Sequence, residues 1–162
     1  MHDHPNVTAV QDALDSAGAR TAAGDQSQVR ILPAAVHTAA AAAEALGIAV
    51  GQIANSLIFD ADGTPLLVLT SGAHRADPAK LAALAGVTRV KRATPEFVRE
   101  HTGQVIGGVA PLGHPKSLRT LVDLDLAQYD EIWAAGGVPQ AVFPITYAEL
   151  VRVTSGEPAT VA

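Results

Sequence analysis

The chain has 162 residues, of which 48% are hydrophobic, with no cysteine and a formal net charge of −5. This composition permits one domain with a sizeable core and excludes disulfides, thiolate metal sites and a cysteine nucleophile. An acidic chain with no apolar run near the roughly 20 residues of a bilayer span, and with no signal-peptide layout, is expected to be cytoplasmic, without a membrane or DNA partner.

The first half of the chain combines helical and strand patterns. Its predicted elements are a helix at Val7–Ala17, a strand at Val29–Leu32, a helix at Ala39–Leu46 and strands at Ile53–Phe59 and Leu66–Thr70. Thr38 is a suitable N-cap for the alanine-rich helix, and Gly47 ends it. The two apolar runs flank the turn sequence Asp60–Thr64, which predicts a β-hairpin.

The second half repeats short strands and capped helices. Its predicted elements are a helix from Pro78 to Leu84, a strand at Val87–Arg92, a helix at Glu96–His101, a strand at Arg119–Asp123, a helical turn at Asp125–Gln128, strands at Ile132–Ala135 and Ala141–Phe143, a helix starting at Thr146 and a last strand at Val151–Val153. Asp77 and Thr94 precede prolines in a cap-and-proline pattern. The tail from Ser155 is expected to be frayed.

The interleaved order predicts the fold class. Strands alternate with helices, but the hairpin breaks strict βαβ order, which favours an α/β fold with a single mixed β-sheet and packed helices. We expect residues 1–162 to form one domain, with an N-terminal helix and connecting loop in residues 1–30 and a tail in residues 155–162.

Residues Gly103–Pro115 are the strongest candidate for a functional segment. They hold four glycines and two prolines with few charges. Glycine permits positive φ and close backbone approach, so successive N–H groups can be exposed to a ligand oxygen. A tight β-corner would have the same composition, and both interpretations stay open from the residues alone.

Other chemical motifs are weak. No GxxxxGK[ST], strand-linked GxGxxG or GxSxG motif occurs, and no histidine pair has the HxxxH or HExxH spacing of a metal site. We therefore predict no cofactor and no metal. The pair Asp123 and Asp125 could do acid–base work, but a strand end followed by a helix cap at Asp125 is the commoner explanation.

Several segments in order carry a resemblance to a known family. These are the run Thr38–Gly47, Gln52–Phe59, Asp77–Leu84, Thr102–Gly103, Gly107–Gly113, Leu121–Asp123 and Ala134–Gly136. Over about Ile31 to Val153, the chain resembles the YbaK/prolyl-tRNA-synthetase-associated editing domain family. The resemblance implies an editing-domain-like fold and hydrolysis, in trans, of the ester in a mischarged aminoacyl-tRNA, without a metal or protein nucleophile. It also implies that the substrate carries a small amino acid such as alanine, cysteine or serine, on tRNA(Pro) among others. The implied partners are the acceptor end of the aminoacyl-tRNA and prolyl-tRNA synthetase.

The same resemblance assigns roles to individual residues. Gly107 and Pro111 match the ends of a GxxxP loop that holds the substrate carbonyl and terminal nucleotide, with Gly108 between them. A family lysine that supports catalysis is replaced by Asn55, in the sequence Ala54-Asn55-Ser56-Leu57. We expect Asn55, Gly107 and Gly108 to be catalytic. The expected substrate-binding residues are His37, Thr38, Val109, Ala110, Pro111, Asp123 and Gly136.

Asn55 leaves two functional hypotheses open. Asparagine can donate and accept hydrogen bonds but cannot place a charge on a phosphate as lysine does. In the first hypothesis the chain is a deacylase in which the N–H groups of residues 107–110 polarise the ester carbonyl. In the second it is a non-catalytic binder of charged tRNA, nucleotide or amino acid in the same pocket.

Overall fold

The computed structural model describes residues 3–162, and within them one mixed sheet carries helices on its faces. The α-helices are α1 (Pro5–Ala17), α2 (Ala39–Leu46), α3 (Pro78–Ala85), α4 (Pro95–Thr102) and α5 (Tyr147–Thr154). The strands are β1 (Arg30–Ile31), β2 (Ile53–Ala61), β3 (Thr64–Ser71), β4 (Val90–Arg92), β5 (Arg119–Asp123), β6 (Ile132–Ala135), β7 (Ala141–Ile145) and β8 (Glu157–Ala159). Short 3-10 helices span Val50–Gln52 and Leu124–Gln128.

The strand order is β1-β7-β6-β2-β3-β5-β8, with β4 also paired to β2. β2 and β3 form the predicted antiparallel hairpin, whereas β2 with β6 and β3 with β5 are parallel. The predicted single mixed sheet is therefore confirmed.

Helix starts follow the side chains that the sequence places before them. Thr38, Asp77, Thr94 and Thr146 each accept a hydrogen bond from a backbone N–H in the first turn of α2, α3, α4 and α5. Such caps satisfy N–H groups that the helix itself leaves unpaired. These four predicted starts are confirmed.

Three local predictions are wrong. Residues 151–153 lie in α5 rather than in a strand, because the cap at Thr146 starts a helix that reaches Thr154. The segment after Ser155 is ordered, since β8 pairs with β5 and Val161 is fully buried. The 3-10 helix Leu124–Gln128 is capped by Asp123 rather than by the predicted Asp125, because the Asp123 carboxylate accepts the N–H of Asp125.

β2 pairs with β3 along one edge, and strand pairing along its other edge is interrupted. This interruption positions the site. The ladder of β2 to β6 ends at the pair Ala54–Ala134, and its ladder to β4 begins at the pair Phe59–Arg92. In the described part of the chain, residues 55–58 therefore have no strand partner on that edge. The sheet opens there, between the end of β6 and the start of the β4 pairing.

Candidate functional site

A cavity lies where β2 and β6 separate. It encloses about 480 Å³, part of it open to solvent. The sheet contributes Asn55, Ser56 and Trp133, the start of α2 contributes His37 and Thr38, and the glycine-rich segment contributes Gly107 and Val109. Alanine side chains, including Ala42, Ala54 and Ala134, form much of the remaining wall. We call this space the candidate site.

The glycine-rich segment enters the candidate site through a tight turn. The N–H of Gly108 donates to the carbonyl oxygen of Val105 over 2.9 Å, and Gly107 has a φ of 91°. A positive φ at the third residue of a four-residue turn is the mark of a type II turn, where glycine is preferred. Gly108 then packs so closely on Val138 and Pro139 that an added Cβ would lie 2.9 Å from the Val138 backbone.

Two side chains form hydrogen bonds with the backbone of Ala110, one with its N–H and one with its carbonyl oxygen. The N–H of Ala110 donates to Gln104 Oε1 over 2.8 Å, and His114 Nε2 donates to the Ala110 carbonyl oxygen over 2.7 Å. Burial lowers the pKa of His114, and the hydrogen bond to Ala110 opposes only part of that shift. The neutral ring, with its proton on Nε2, is therefore the favoured form near neutral pH.

These contacts decide which amides can reach a substrate. The N–H groups of Gly108 and Ala110 are already used within the chain. Those of Gly107 and Val109 have no partner anywhere in residues 3–162, and both residues line the candidate site. Of the four N–H groups of residues 107–110 that were expected to act on the carbonyl, those of Gly108 and Ala110 are thus engaged within the chain, and those of Gly107 and Val109 are not.

Asn55 and Ser56 lie on opposite faces of β2, because side chains alternate along a strand. The Asn55 side chain is exposed and has no hydrogen-bond partner within the described residues. Its cross-strand neighbour is Thr70, whose buried hydroxyl is also unpaired there. Both Asn55 and Ser56 reach the candidate site because it occupies the opening in the sheet.

His37 and Thr38 bound the candidate site at the start of α2. Thr38 Oγ1 accepts the N–H of Ala41 over 3.1 Å, so its hydroxyl already caps the helix. His37 lies against Gly107, where an added Cβ would come within 3.3 Å of His37 Nδ1. The structure thus brings together five of the residues predicted from the sequence, namely His37, Thr38, Asn55, Gly107 and Val109.

The structure places the other predicted residues around or away from the cavity. Gly108, Ala110 and Pro111 are buried in the continuation of the glycine-rich segment. Gly136 lies at the end of β6, where an added Cβ would come within 2.9 Å of the Ala141 side chain. None of these four residues lines the candidate site, and Pro111 lines a different pocket together with Leu112 and His114.

Asp123 lies in a separate polar cluster at the end of β5. Its carboxylate accepts the N–H of Ser71 over 2.9 Å and contacts His74 Nε2, while His74 Nδ1 lies 3.1 Å from Asp125 Oδ2. Asp123, His74 and Asp125 are close enough together to hold a cation. Each ring nitrogen of His74 already faces a carboxylate. The same contacts therefore also link the end of β3 to β5 and to the 3-10 helix Leu124–Gln128.

Ser56, Trp133, Gln104 and His114 were missed as contributors to the site. Ser56 and Trp133 reach the cavity only because two strands distant in sequence separate there. Gln104 and His114 lie inside the glycine-rich segment, and polar side chains within such a segment were the available signal.

Among the described residues, no helix has the length and apolar character needed to cross a membrane.

Comparison with known proteins identifies the family of the chain. The model of the aminoacyl-tRNA editing domain family matches residues 33–153, three quarters of the chain. The chain belongs to this family. The matched range contains every element that lines the candidate site.

Individual relatives differ in how much of their length is shared. A proline–tRNA ligase of Nitratidesulfovibrio vulgaris is 32% identical over 62% of this chain, but the match spans only 17% of the ligase. An Enterococcus faecalis protein named "Putative Cys-tRNA(Pro)/Cys-tRNA(Cys) deacylase EbsC" is 27% identical over 74% of this chain and 79% of its own length.

A solved structure matches almost end to end. It is described as "a putative trans-editing enzyme for prolyl tRNA synthetase", has a TM-score of 0.88 and 42% identity, and is covered over 97% of its length by 98% of this chain. The editing-domain fold is therefore shared across the sheet and its helices.

Proposed function

We propose that this editing-domain chain is a trans-acting deacylase, which hydrolyses the ester between an amino acid and the terminal ribose of a mischarged tRNA. The observation that carries the proposal is that Asn55 lines one cavity with Gly107 and Val109, two residues whose N–H groups have no partner within residues 3–162. Such donors stabilise the negative charge that develops on a carbonyl oxygen when water attacks an ester.

The proposed reaction needs no protein nucleophile. Water adds to the carbonyl carbon, the oxygen accepts hydrogen bonds from the N–H groups of Gly107 and Val109, and the bond to the ribose oxygen then breaks. The departing ribose oxygen takes up the proton that the water gives up. Asn55, with a free amide at the rim, orients the ribose or the attacking water by hydrogen bonds.

The walls of the site support a small amino acid. Alanine side chains and Trp133 leave an apolar space next to the two N–H groups. Size alone discriminates by roughly 10- to 200-fold per methylene. The proposed substrate is therefore alanine, cysteine or serine on tRNA(Pro). The name of the Enterococcus relative supports cysteine on tRNA(Pro), and the description of the solved neighbour supports a link to prolyl-tRNA synthetase.

The partners follow from the reaction. The acceptor end of an aminoacyl-tRNA is the substrate, and prolyl-tRNA synthetase, to which relatives belong, is the enzyme whose errors would be corrected. Because charged tRNA is used in translation, we place the activity in the cytoplasm, with residues 1–162 acting as one domain.

The deciding experiment is release of amino acid from a panel of charged tRNAs. The purified chain should accelerate release from Ala-, Cys- or Ser-charged tRNA above the spontaneous rate. Asn55→Ala should lower that rate by about 2- to 13-fold, the loss expected for one neutral hydrogen bond. No acceleration on any member of a full panel would reject the deacylase.

Asn55→Lys separates the deacylase from the non-catalytic binder. If the wild-type chain is inactive and this variant hydrolyses charged tRNA, the chain is a binder in which Asn55 marks the loss of catalysis. If the wild type is active and the variant is equal or slower, Asn55 is a working catalytic residue.

A further inference from the structure

His37 is the one titratable side chain that lines the candidate site, among the residues that the structure describes. Asn55 stands where the family resemblance implies a lysine, and its amide is not a base near neutral pH. The other polar side chains of the lining are the Thr38 and Ser56 hydroxyls and the Trp133 indole, which are not bases either. The Ser56 hydroxyl is buried without a hydrogen-bond partner in the described chain. Proton transfer by the protein inside this cavity therefore falls to His37.

The His37 ring is free to react and lies beside a candidate amide donor. Its side chain is exposed, and neither ring nitrogen has a hydrogen-bond or ion-pair partner in the described part of the chain. Nδ1 lies 3.3 Å from the position that a Cβ on Gly107 would occupy. The ring and the unpaired N–H of Gly107 thus belong to one wall of the cavity.

One stretch of chain holds both the ring and the loop. The N–H of Val36, the residue before His37, donates to the Pro139 carbonyl oxygen over 3.0 Å. Gly108 packs on the same stretch, since an added Cβ would lie 2.9 Å from the Val138 backbone. His37 and the loop are therefore anchored to residues next to each other in the chain, which keeps the distance between them fixed.

The position of the ring fits proton transfer from water. A carbonyl carbon whose oxygen accepts the Gly107 N–H lies about 4 Å from that nitrogen. Water attacks such a carbon from about 3–3.5 Å, on the wall that the His37 ring shares. A general base must reach the proton directly or through one further water. A neutral imidazole has one ring nitrogen free to accept it.

The elements around the His37 ring carry few charges. α2 has a single charged residue, Glu44, in its second half. Residues 105–109 and 134–139, which contribute the walls across from the ring, have no charged or titratable side chain. The one carboxylate of β2, Asp60, lies at the far end of that strand beside β4. The pH dependence of the reaction can therefore be compared directly with the titration of this ring.

We propose that His37 is the general base of the deacylation, taking a proton from the attacking water and returning it to the ribose oxygen. The water O–H bond breaks as the water oxygen bonds to the carbonyl carbon, and the proton moves to the ring. When the tetrahedral intermediate collapses, the bond to the ribose oxygen breaks and the imidazolium protonates that oxygen. The products are the free amino acid and the uncharged tRNA, and the ring is neutral again. The inference rests on the proposed function and goes beyond the substrate-binding role expected for His37.

His37→Gln tests the base while keeping a side chain that can form hydrogen bonds. On the charged tRNA that the wild type hydrolyses, kcat should fall about 100-fold or more, with KM nearly unchanged. His101→Gln removes a histidine of α4 that does not line the candidate site, so its kcat and KM should match the wild type. A raised KM with unchanged kcat in His37→Gln would leave only a binding role and overturn the proposal.

The pH dependence provides a readout that a binding or structural role would not move. Histidine ordinarily changes its charge between about pH 5 and 8. The wild-type kcat/KM should rise with pH in that range and then level off, because the neutral ring is the base. Its midpoint should match that of the His37 ring signals followed by NMR in the free chain. In His37→Gln the rate should instead follow hydroxide concentration without levelling off. A plateau retained in this variant, or midpoints that disagree, would overturn the proposal.

The two proposals fail separately. A wild-type chain that releases no amino acid from a full panel of charged tRNAs rejects the deacylase, and the base with it. An active wild type whose kcat and pH profile survive in His37→Gln rejects only the base, and leaves catalysis to the N–H groups of Gly107 and Val109.

Discussion

His114 Nε2 donates a hydrogen bond to the carbonyl oxygen of Ala110 over 2.7 Å. Ala110 lies three residues beyond Gly107, in the segment that carries the candidate amide donors. Because Gln104 holds the N–H of the same residue, the exit of the loop is fixed by side chains rather than by strand pairing. Fixed donors are favourable for catalysis, since they need not reorganise as charge develops.

The His114 contact predicts a pH dependence of stability. Burial lowers the pKa of His114 in the folded chain below the unfolded value of about 6.5. Between those two values the unfolded chain binds more protons, so the free energy of unfolding should fall as pH falls below about 6.5. Thermal unfolding at a series of pH values should show a smaller acid loss in His114→Gln than in wild type.

His37→Gln is the control for this measurement, because His37 is exposed. It should keep the wild-type pH dependence of unfolding. If His37→Gln removes the acid loss and His114→Gln does not, the burial of His114 is not its cause.

Gly107→Ala and Gly103→Ala form a pair with similar backbone strain, since φ is 91° and 71°. Each should lose about 1 kcal/mol of stability. A Cβ on Gly103 meets open space, whereas one on Gly107 lies 3.3 Å from His37 Nδ1 inside the candidate site. Deacylation assays should therefore show a loss of at least about 10-fold for Gly107→Ala alone. Equal rates in the two variants would remove Gly107 from the reaction.

Thr70→Val should stabilise the chain. The Thr70 hydroxyl is buried without a partner in the described structure and lines none of the cavities discussed above. Replacing it by an isosteric methyl should raise the free energy of unfolding by about 1 kcal/mol, which denaturant titration can measure. Ser56→Ala should stabilise in the same way but also raise KM for charged tRNA. An unchanged KM in Ser56→Ala would argue against substrate contact by its hydroxyl.

Asp123→Asn should affect stability more than activity. Its carboxylate accepts N–H groups from Ser71 and Asp125 and contacts His74, so loss of the charge should cost about 1.5–3 kcal/mol. Because Asp123 does not line the candidate site, KM of the remaining folded enzyme should be unchanged. A raised KM with unaltered unfolding would instead support the pocket-lining role that the family resemblance implies.

Helix caps and the β-hairpin could be predicted from the sequence. Threonine or aspartate before each of four helices, and apolar runs around Asp60–Thr64, act over a few residues, so the caps and the hairpin were predictable. The ordered family pattern also brought Asn55, Gly107 and Val109 forward as site residues. The strand predicted at residues 151–153 was wrong because Val151-Arg152-Val153, two apolar residues around an arginine, is too short to distinguish a strand from a helix, and the cap at Thr146 decided for a helix.

What the sequence alone determined is therefore most of the elements before residue 150, the fold class and the segment on which chemistry was expected. Tertiary structure alone decided which of its amides are free, because Gln104 and Val105 take the N–H groups of Ala110 and Gly108. It also decided that Ser56 stands at an open sheet edge, since β6 and β4 pair with β2 from about 80 and 30 residues away. Pairing between such distant segments has no local signal, and the cavity exists only where those pairings stop.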